Sequence, residues 1–228
     1  KLGTLRDSTN RYLLNKPTRY ITISKSMKRL LEERRTKCPI HIVENGIEAP
    51  PIPIRTEHDS KFTIGLIGRI EFKQKQQDFF VRAFLKNSAL FANCRALIVG
   101  SGPDEKKLEQ LIEGADSISR IPWQENMEEV YAALDMLIIP SRYEGVPLVM
   151  LEALARGLPV IGSRRDGMKD LLPQEWTFTT ESASSMATAF SRARETRPHK
   201  TEALQHRVRH ENSMDTFKDN FVRAVTEK

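Results

Sequence analysis

Cysteine is almost missing from this chain. Among 228 residues there are two, Cys38 and Cys94, with no metal-ligand spacing around either. That excludes a disulfide framework and points to free thiols in a reducing compartment. Long apolar runs are missing too. Nothing approaches the roughly 18 uninterrupted residues of a membrane span. The opening K-L-G-T-L-R-D carries no secretory-signal pattern, so the expected location is the cytoplasm. There is no internal repeat and no low-complexity tract. Aromatics are 7% of the residues and do not interleave with the basic runs, which argues against a stacking surface for single-stranded nucleic acid. The loop Gly100-Ser101-Gly102-Pro103 lacks the third glycine of a dinucleotide fingerprint, because Glu105 stands in its place. It reads as a tight strand-to-helix turn. His206 and His210 are one helical turn apart but have no H-E-x-x-H and no nearby third ligand, so a metal centre is not expected. No Ser–His–Asp set or Cys–His nucleophile can be assembled from the loops.

What is present describes a globular α/β protein. Hydrophobic residues make up 39% and charged residues 29%, an ordinary balance for a packed domain. The net charge of +6 favours anionic partners: nucleic acid, an anionic membrane surface or a phosphorylated small molecule. The two basic regions, Lys28–Arg35 and Arg192–Arg209, read as solvated helix faces, the second with membrane-surface binding as the alternative.

Apolar runs at Tyr20–Ile23, His41–Val43, Thr63–Gly68, Arg95–Val99, Ile118–Ile121, Met136–Ile139 and Val160–Gly162 predict strands. Amphipathic patterns at Lys25–Arg34, Gln76–Lys86, Asp104–Glu113, Met127–Leu134 and Pro147–Arg156 predict helices, and the chain after Phe178 reads as helical. This alternation predicts a Rossmann-like, doubly wound parallel sheet with C-terminal helices, binding ligand beyond the carboxyl ends of its strands. Glu48–Ser60, E-A-P-P-I-P-I-R-T-E-H-D-S, is too rich in proline for a helix or a central strand and reads as a linker.

The densest chemistry lies in Ser141–Pro159, S-R-Y-E-G-V-P-L-V-M-L-E-A-L-A-R-G-L-P. A strand feeds it, Gly145 permits a sharp turn or a close ligand approach, and Pro147 suits the first turn of a helix. The N–H groups of Gly145, Val146 and Leu148, with the positive end of the helix dipole, form a candidate anion seat. Glu144 and Glu152 flank it, and a helical side chain leans toward its own N-terminus, so Glu152 can reach the same mouth. Carboxylates accept hydrogen bonds from sugar hydroxyls. An anion seat between two such acceptors suits a sugar–phosphate compound. Gly68-Arg69 ends a strand and Lys75 follows a short loop, offering a guanidinium fork and a point charge to phosphate oxygens.

E-G-V-P-L-V-M-L-E resembles the E-x7-E signature of family 4 retaining glycosyltransferases. I-G-L-I-G-R-I from Ile64, K-Q-Q-D from Lys75, L-I-V-G-S-G-P from Leu97 and G-L-P-V-I from Gly157 are similar to the family's landmarks, in order, across Thr18–Phe178. The resemblance implies the C-terminal, donor-binding half of a GT-B fold. Residues 1–50 would be the tail of the acceptor domain, 51–60 the linker and 61–228 the donor domain, with the rest of the acceptor domain preceding Lys1. It implies that Arg69 and Lys75 grip the donor diphosphate beside Gly68, that Glu144 holds the transferred sugar and Glu152 the ribose. The family pattern puts the lysine five positions after the arginine, where Gln74 stands here. Lys75 therefore needs a one-residue insertion, and Lys73 is the alternative. Pro122 and Trp123 would border the base, with Trp123 either stacking on it or packed as a core aromatic. Asp166 and Asp170 stand where relatives carry a sugar-contacting glutamate.

The implied reaction moves a sugar from a nucleoside diphosphate to a glycan or lipid acceptor with retention, without metal or other cofactor. The implied setting is cell-surface polysaccharide or lipopolysaccharide assembly, with peripheral association at the inner face of the membrane and no nucleic-acid partner. The rivals are a non-catalytic nucleotide- or partner-binding module, a basic nucleic-acid binder and, last, another GT-B enzyme such as an epimerase or phosphorylase.

Overall fold

The computed structural model describes residues 12–48 and 61–227. Most of the expected linker, from residue 49 to residue 60, lies outside the described residues.

Two parallel strands, β1 (Tyr20–Thr22) and β2 (Ile40–Ile42), pair in a small sheet, joined by α1 (Lys25–Glu33). The Ser24 hydroxyl caps α1 by accepting from the Met27 N–H at 3.1 Å. The rest of the chain builds one six-stranded sheet. Its strands are β3 (Phe62–Ile67), β4 (Cys94–Val99), β5 (Ile118–Ile121), β6 (Met136–Ile139), β7 (Val160–Ser163) and β8 (Thr177–Phe178). They lie in the order β5-β4-β3-β6-β7-β8, and every recorded pairing is parallel. The chain winds outward from β3 in one direction, returns to β6 and winds outward in the other. The switch point is therefore the crevice between β3 and β6, and α/β sheets bind ligands beyond the carboxyl ends of strands at such a point.

All residues of β6 and β7, and all but the first of β3, are buried. Helices covering both faces demand this, and it explains why these strands read as unbroken apolar runs. The covering helices are α2 (Phe72–Lys75), α3 (Gln77–Lys86), α4 (Glu105–Ile112), α5 (Glu128–Ala132), α6 (Leu148–Ala155), α7 (Asp166–Leu171) and α8 (Ala183–Glu211), whereas α9 (Met214–Thr226) returns to the N-terminal segment, with Phe217 against Gly46 and Ala224 O accepting from Arg19 Nη1 at 2.6 Å. Met186, Phe190, Ala193 and Val208 face inward from α8, which packs on α6. Trp176 is fully buried and its indole N–H donates to Thr196 Oγ1 on α8 at 2.9 Å. Cys94 is a buried free thiol, pushed up from its ordinary pKa chiefly by burial, whereas Cys38 is only half-buried.

Expected strands and helices agree with the structure to within one residue at most ends, and to within two at the carboxyl end of the α5 stretch. Four elements were not anticipated, one of them the single 3-10 turn at Gln174–Trp176. The reading that began a helix at Gln76 is corrected. Gln76 lies in the left-handed region (φ 57°) and separates the short α2 from α3. The others are α7 and the two-residue β8, both too short to show a period. The basic run in α8 is largely engaged. Arg194 and Arg197 lie over the Phe62 ring at 4.8 and 5.2 Å, and Arg207 pairs with Glu211 at 2.8 Å.

Candidate functional site

Three loops meet at the carboxyl edge around the switch point. The β3 loop begins at Gly68, whose N–H donates to Val99 O of β4 at 2.9 Å. Ile70 N–H donates to Ser101 O at 3.0 Å, so the loops after β3 and β4 are interlocked. The α2 segment is then tied to the loop after β6. Arg142 N–H donates to Gln74 O at 2.8 Å, and Gln74 Nε2 donates to Tyr143 O at 3.2 Å. Arg142 and Gln76 both donate to Glu181.

This frame brings two of the expected residues into contact. Lys75 Nζ donates to Glu144 Oε1 at 2.6 Å, and the Glu144 side chain is only 9% exposed. Lys73 is exposed, and its carbonyl accepts from Arg142. Of the two lysines, Lys75 is thus the one beside the glutamate motif. Arg69 has an exposed side chain, 3.7 Å from Glu71, and its carbonyl accepts from Gln77 Nε2 at 2.8 Å. The buried Gln77 therefore fixes the backbone that presents Arg69. Nothing in the K-Q-Q-D string itself marks this role for its second glutamine.

The helix α6 opens at Pro147, with no side chain capping it. The preceding loop is held by its carbonyls. Gly145 O accepts from Gly167 N–H at 3.0 Å, and Val146 O accepts from Asn45 Nδ2 at 3.2 Å. Among the described residues, the N–H groups of Gly145, Val146 and Leu148 meet no backbone acceptor. Of the two reasons offered for glycine at 145, the structure bears on the turn: its backbone does not need the left-handed region. A Cβ there would sit 2.8 Å from Ile23 Cδ1, the end of a side chain that would have to shift.

Glu152 lies in the second turn of α6, half-buried. Its Oε2 accepts from the Tyr131 hydroxyl at 2.6 Å, a partner that the spacing of the two glutamates does not reveal. The two aspartates also have partners within the protein. Asp166 Oδ2 accepts the Glu144 backbone N–H at 2.9 Å and so holds the backbone that carries Glu144. Both Asp170 oxygens serve α1: Oδ2 accepts from Ser26 N–H and Oγ, each at 2.7 Å, and Oδ1 from Arg29 Nη2 at 2.7 Å. Nothing in a single run of sequence marks that pairing.

Pro122 follows β5 at the same edge, and Trp123 beside it is 53% exposed. Packing as a core aromatic is therefore corrected, and the indole face stays accessible. Among the described residues no three His, Cys, Asp or Glu side chains gather as a metal ion would need. No described helix is long and apolar enough to cross a membrane.

A family model for glycosyl transferases group 1 matches residues 61–195. An uncharacterized glycosyltransferase of Haemophilus influenzae is 28% identical over 156 residues, 67% of this chain and 44% of that protein. The lipopolysaccharide core biosynthesis mannosyltransferase LpsB of Rhizobium meliloti is 30% identical over 121 residues, 50% of this chain and 34% of LpsB. Among solved structures, HepE of Anabaena in complex with UDP and glucose superposes with a TM-score of 0.79 at 15% identity, over 97% of this chain and 67% of HepE. The chain spans less than half the length of the curated relatives it matches. The sheet and its helices have the fold of the C-terminal, Rossmann-like domain of GT-B glycosyltransferases. With the family model covering more than half of its residues, the chain belongs to the glycosyl transferases group 1 family.

Proposed function

We propose that this chain is the donor-binding half of a retaining glycosyltransferase that resembles family 4 and moves a sugar from a nucleoside diphosphate to a glycan or lipid-linked acceptor. One observation carries the reading. Lys75 and Glu144, 69 residues apart, meet at 2.6 Å at the switch point, beside the uncapped opening of α6. A glycosyl diphosphate needs cations for its phosphates and hydroxyl acceptors for its sugar, and this contact holds one of each.

As the glycosidic bond breaks, negative charge grows on the departing diphosphate. Arg69, Lys75 and the amides of Gly145, Val146 and Leu148 would stabilise that charge in place of a metal ion. Glu144, its backbone held by Asp166, would hold the sugar, and Glu152 the ribose. The exposed Trp123 would lie against the base beside Pro122. No side chain here serves as a nucleophile in this scheme. The leaving phosphate itself helps to deprotonate the acceptor, with retention as the result. The name of LpsB supports lipopolysaccharide assembly as the setting, and the reading extends to other cell-surface glycans, reached from the inner face of the membrane.

The test is calorimetric titration of UDP, GDP and ADP, and then of the sugar nucleotide matching the best of them. Lys75→Met is expected to weaken nucleoside-diphosphate binding about 10- to 100-fold, the worth of a hydrogen bond to a charged group. Glu144→Gln frees Lys75 and so keeps or tightens diphosphate binding, while removing the extra affinity contributed by the sugar. Failure of all three diphosphates to bind at millimolar concentration would overturn the reading.

A further inference from the structure

We propose that Tyr131 is a positioning residue that aims the Glu152 carboxylate at a ribose hydroxyl of the donor, and so sets the preference for ribonucleotides over deoxyribonucleotides. This rests on the donor-binding reading above and adds to it a residue that the motif does not contain.

Tyr131 lies in α5, 21 residues before Glu152, and is 2% exposed. Its hydroxyl donates to Glu152 Oε2 at 2.6 Å, a charge-assisted contact. The phenol stays protonated through the working pH range, because burial and then the Glu152 charge raise its pKa. It is therefore a permanent donor. The ring is itself clamped. The Arg156 guanidinium lies over it at 4.4 Å, and Arg156 also donates to the Glu152 carbonyl at 3.0 Å and to the Glu128 carboxylate. Both the backbone and the carboxylate of Glu152 are thus held by one assembly.

The consequence concerns the other oxygen. Among the described residues Oε1 of Glu152 takes no hydrogen bond, and the residue is half-buried on a helix whose neighbours Met150, Leu151, Ala153, Leu154 and Ala155 are buried. An untethered glutamate loses side-chain freedom when it meets a ligand. Tethering Oε2 in advance removes most of that cost and leaves Oε1 facing one direction. A vicinal diol on the ribose is the donor group that this single aimed acceptor would select.

The experiment compares Tyr131→Phe with the unaltered 228-residue chain. Phenylalanine keeps the ring, its packing and the Arg156 stack, so the variant should fold, as circular dichroism and thermal melting can verify. The ligand is whichever of UDP, GDP or ADP binds tightest, with its 2′-deoxy and 3′-deoxy forms. The unaltered chain is expected to prefer the ribo form over one deoxy form by about tenfold, as for one hydrogen bond to a carboxylate. Tyr131→Phe should weaken the ribo form at least about threefold and leave that deoxy form unchanged, so the preference shrinks. Equal weakening of both forms, or no change in either, overturns the proposal, because a purely structural tyrosine would do one or the other. A Glu152→Ala variant separates the two levels. If it abolishes the preference while Tyr131→Phe does not, the fault lies with Tyr131. If the preference survives Glu152→Ala, the ribose role of Glu152 fails and takes the tyrosine's role with it.

Discussion

Replacing Gly100 by alanine tests how the β4 loop holds the Gly68–Arg69 loop in place. Gly100 has φ +148°, and a Cβ built there falls 1.9 Å from the carbonyl oxygen of Gly68 and 2.9 Å from its carbonyl carbon. Both atoms are backbone, so no rotamer can relieve the clash. The backbone conformation costs a non-glycine residue about 1–3 kcal/mol. Forcing a methyl group against packed atoms costs about 1–3 kcal/mol more. Gly114 supplies the control. It also has a positive φ, +74°, but nothing lies within 4 Å of its built Cβ. Gly114→Ala should therefore lose only the strain, about 1–2 kcal/mol. For a domain of this size each kcal/mol moves the melting temperature by roughly 2–4 °C, so the expected drops are about 10 °C for Gly100→Ala and about 4 °C for Gly114→Ala. Both variants should remain folded at 25 °C. There, nucleoside-diphosphate affinity should fall in Gly100→Ala, because relief of the clash displaces Gly68 and with it Arg69, and should hold in Gly114→Ala. Equal melting temperatures for the two variants would refute the close-approach argument. Unchanged affinity in Gly100→Ala would refute the link to Arg69.

Asp170→Ala removes the acceptor of three hydrogen bonds from α1, so limited proteolysis should cut near α1 faster while the sheet core keeps its protection. Asp104 governs an acid-side effect. Its pKa is lowered first by the Lys107 ammonium and then by the Phe72 N–H it accepts. A depressed carboxylate contributes stability that is complete above the ordinary value near pH 4 and is lost as pH falls through the lower folded value. Urea unfolding followed downward from about pH 5 should show a gentler loss of stability in Asp104→Ala than in the unaltered chain, and an identical slope would contradict the assignment.

Much of the layout of the six-stranded sheet was legible because it is written in local pattern. Buried runs such as Met136–Ile139 announce parallel strands, and Ser141–Pro159 announces a strand, a turn and a helix in one stretch. The short elements were not legible. A four-residue helix such as Phe72–Lys75 completes barely one turn, and the left-handed Gln76 that ends it has no marker in its neighbours. Glu144 and Glu152 could be named from their spacing, but not what they touch. Asp170, which stands where relatives carry a sugar-contacting glutamate, meets Ser26 of α1 across 144 residues.

The sequence by itself determined the alternation of strands and helices, the parallel α/β class and the short list of groups able to meet a sugar nucleotide. Each of these follows from side-chain periodicity and chemical type within a few residues. Only the tertiary structure decided that Lys75 rather than Lys73 meets Glu144, that Tyr131 occupies one oxygen of Glu152, and that Asp170 belongs to the docking of α1. Those choices depend on where separate loops stand relative to one another after the sheet has assembled. A partner tens of residues away leaves no periodic trace beside the residue it will hold.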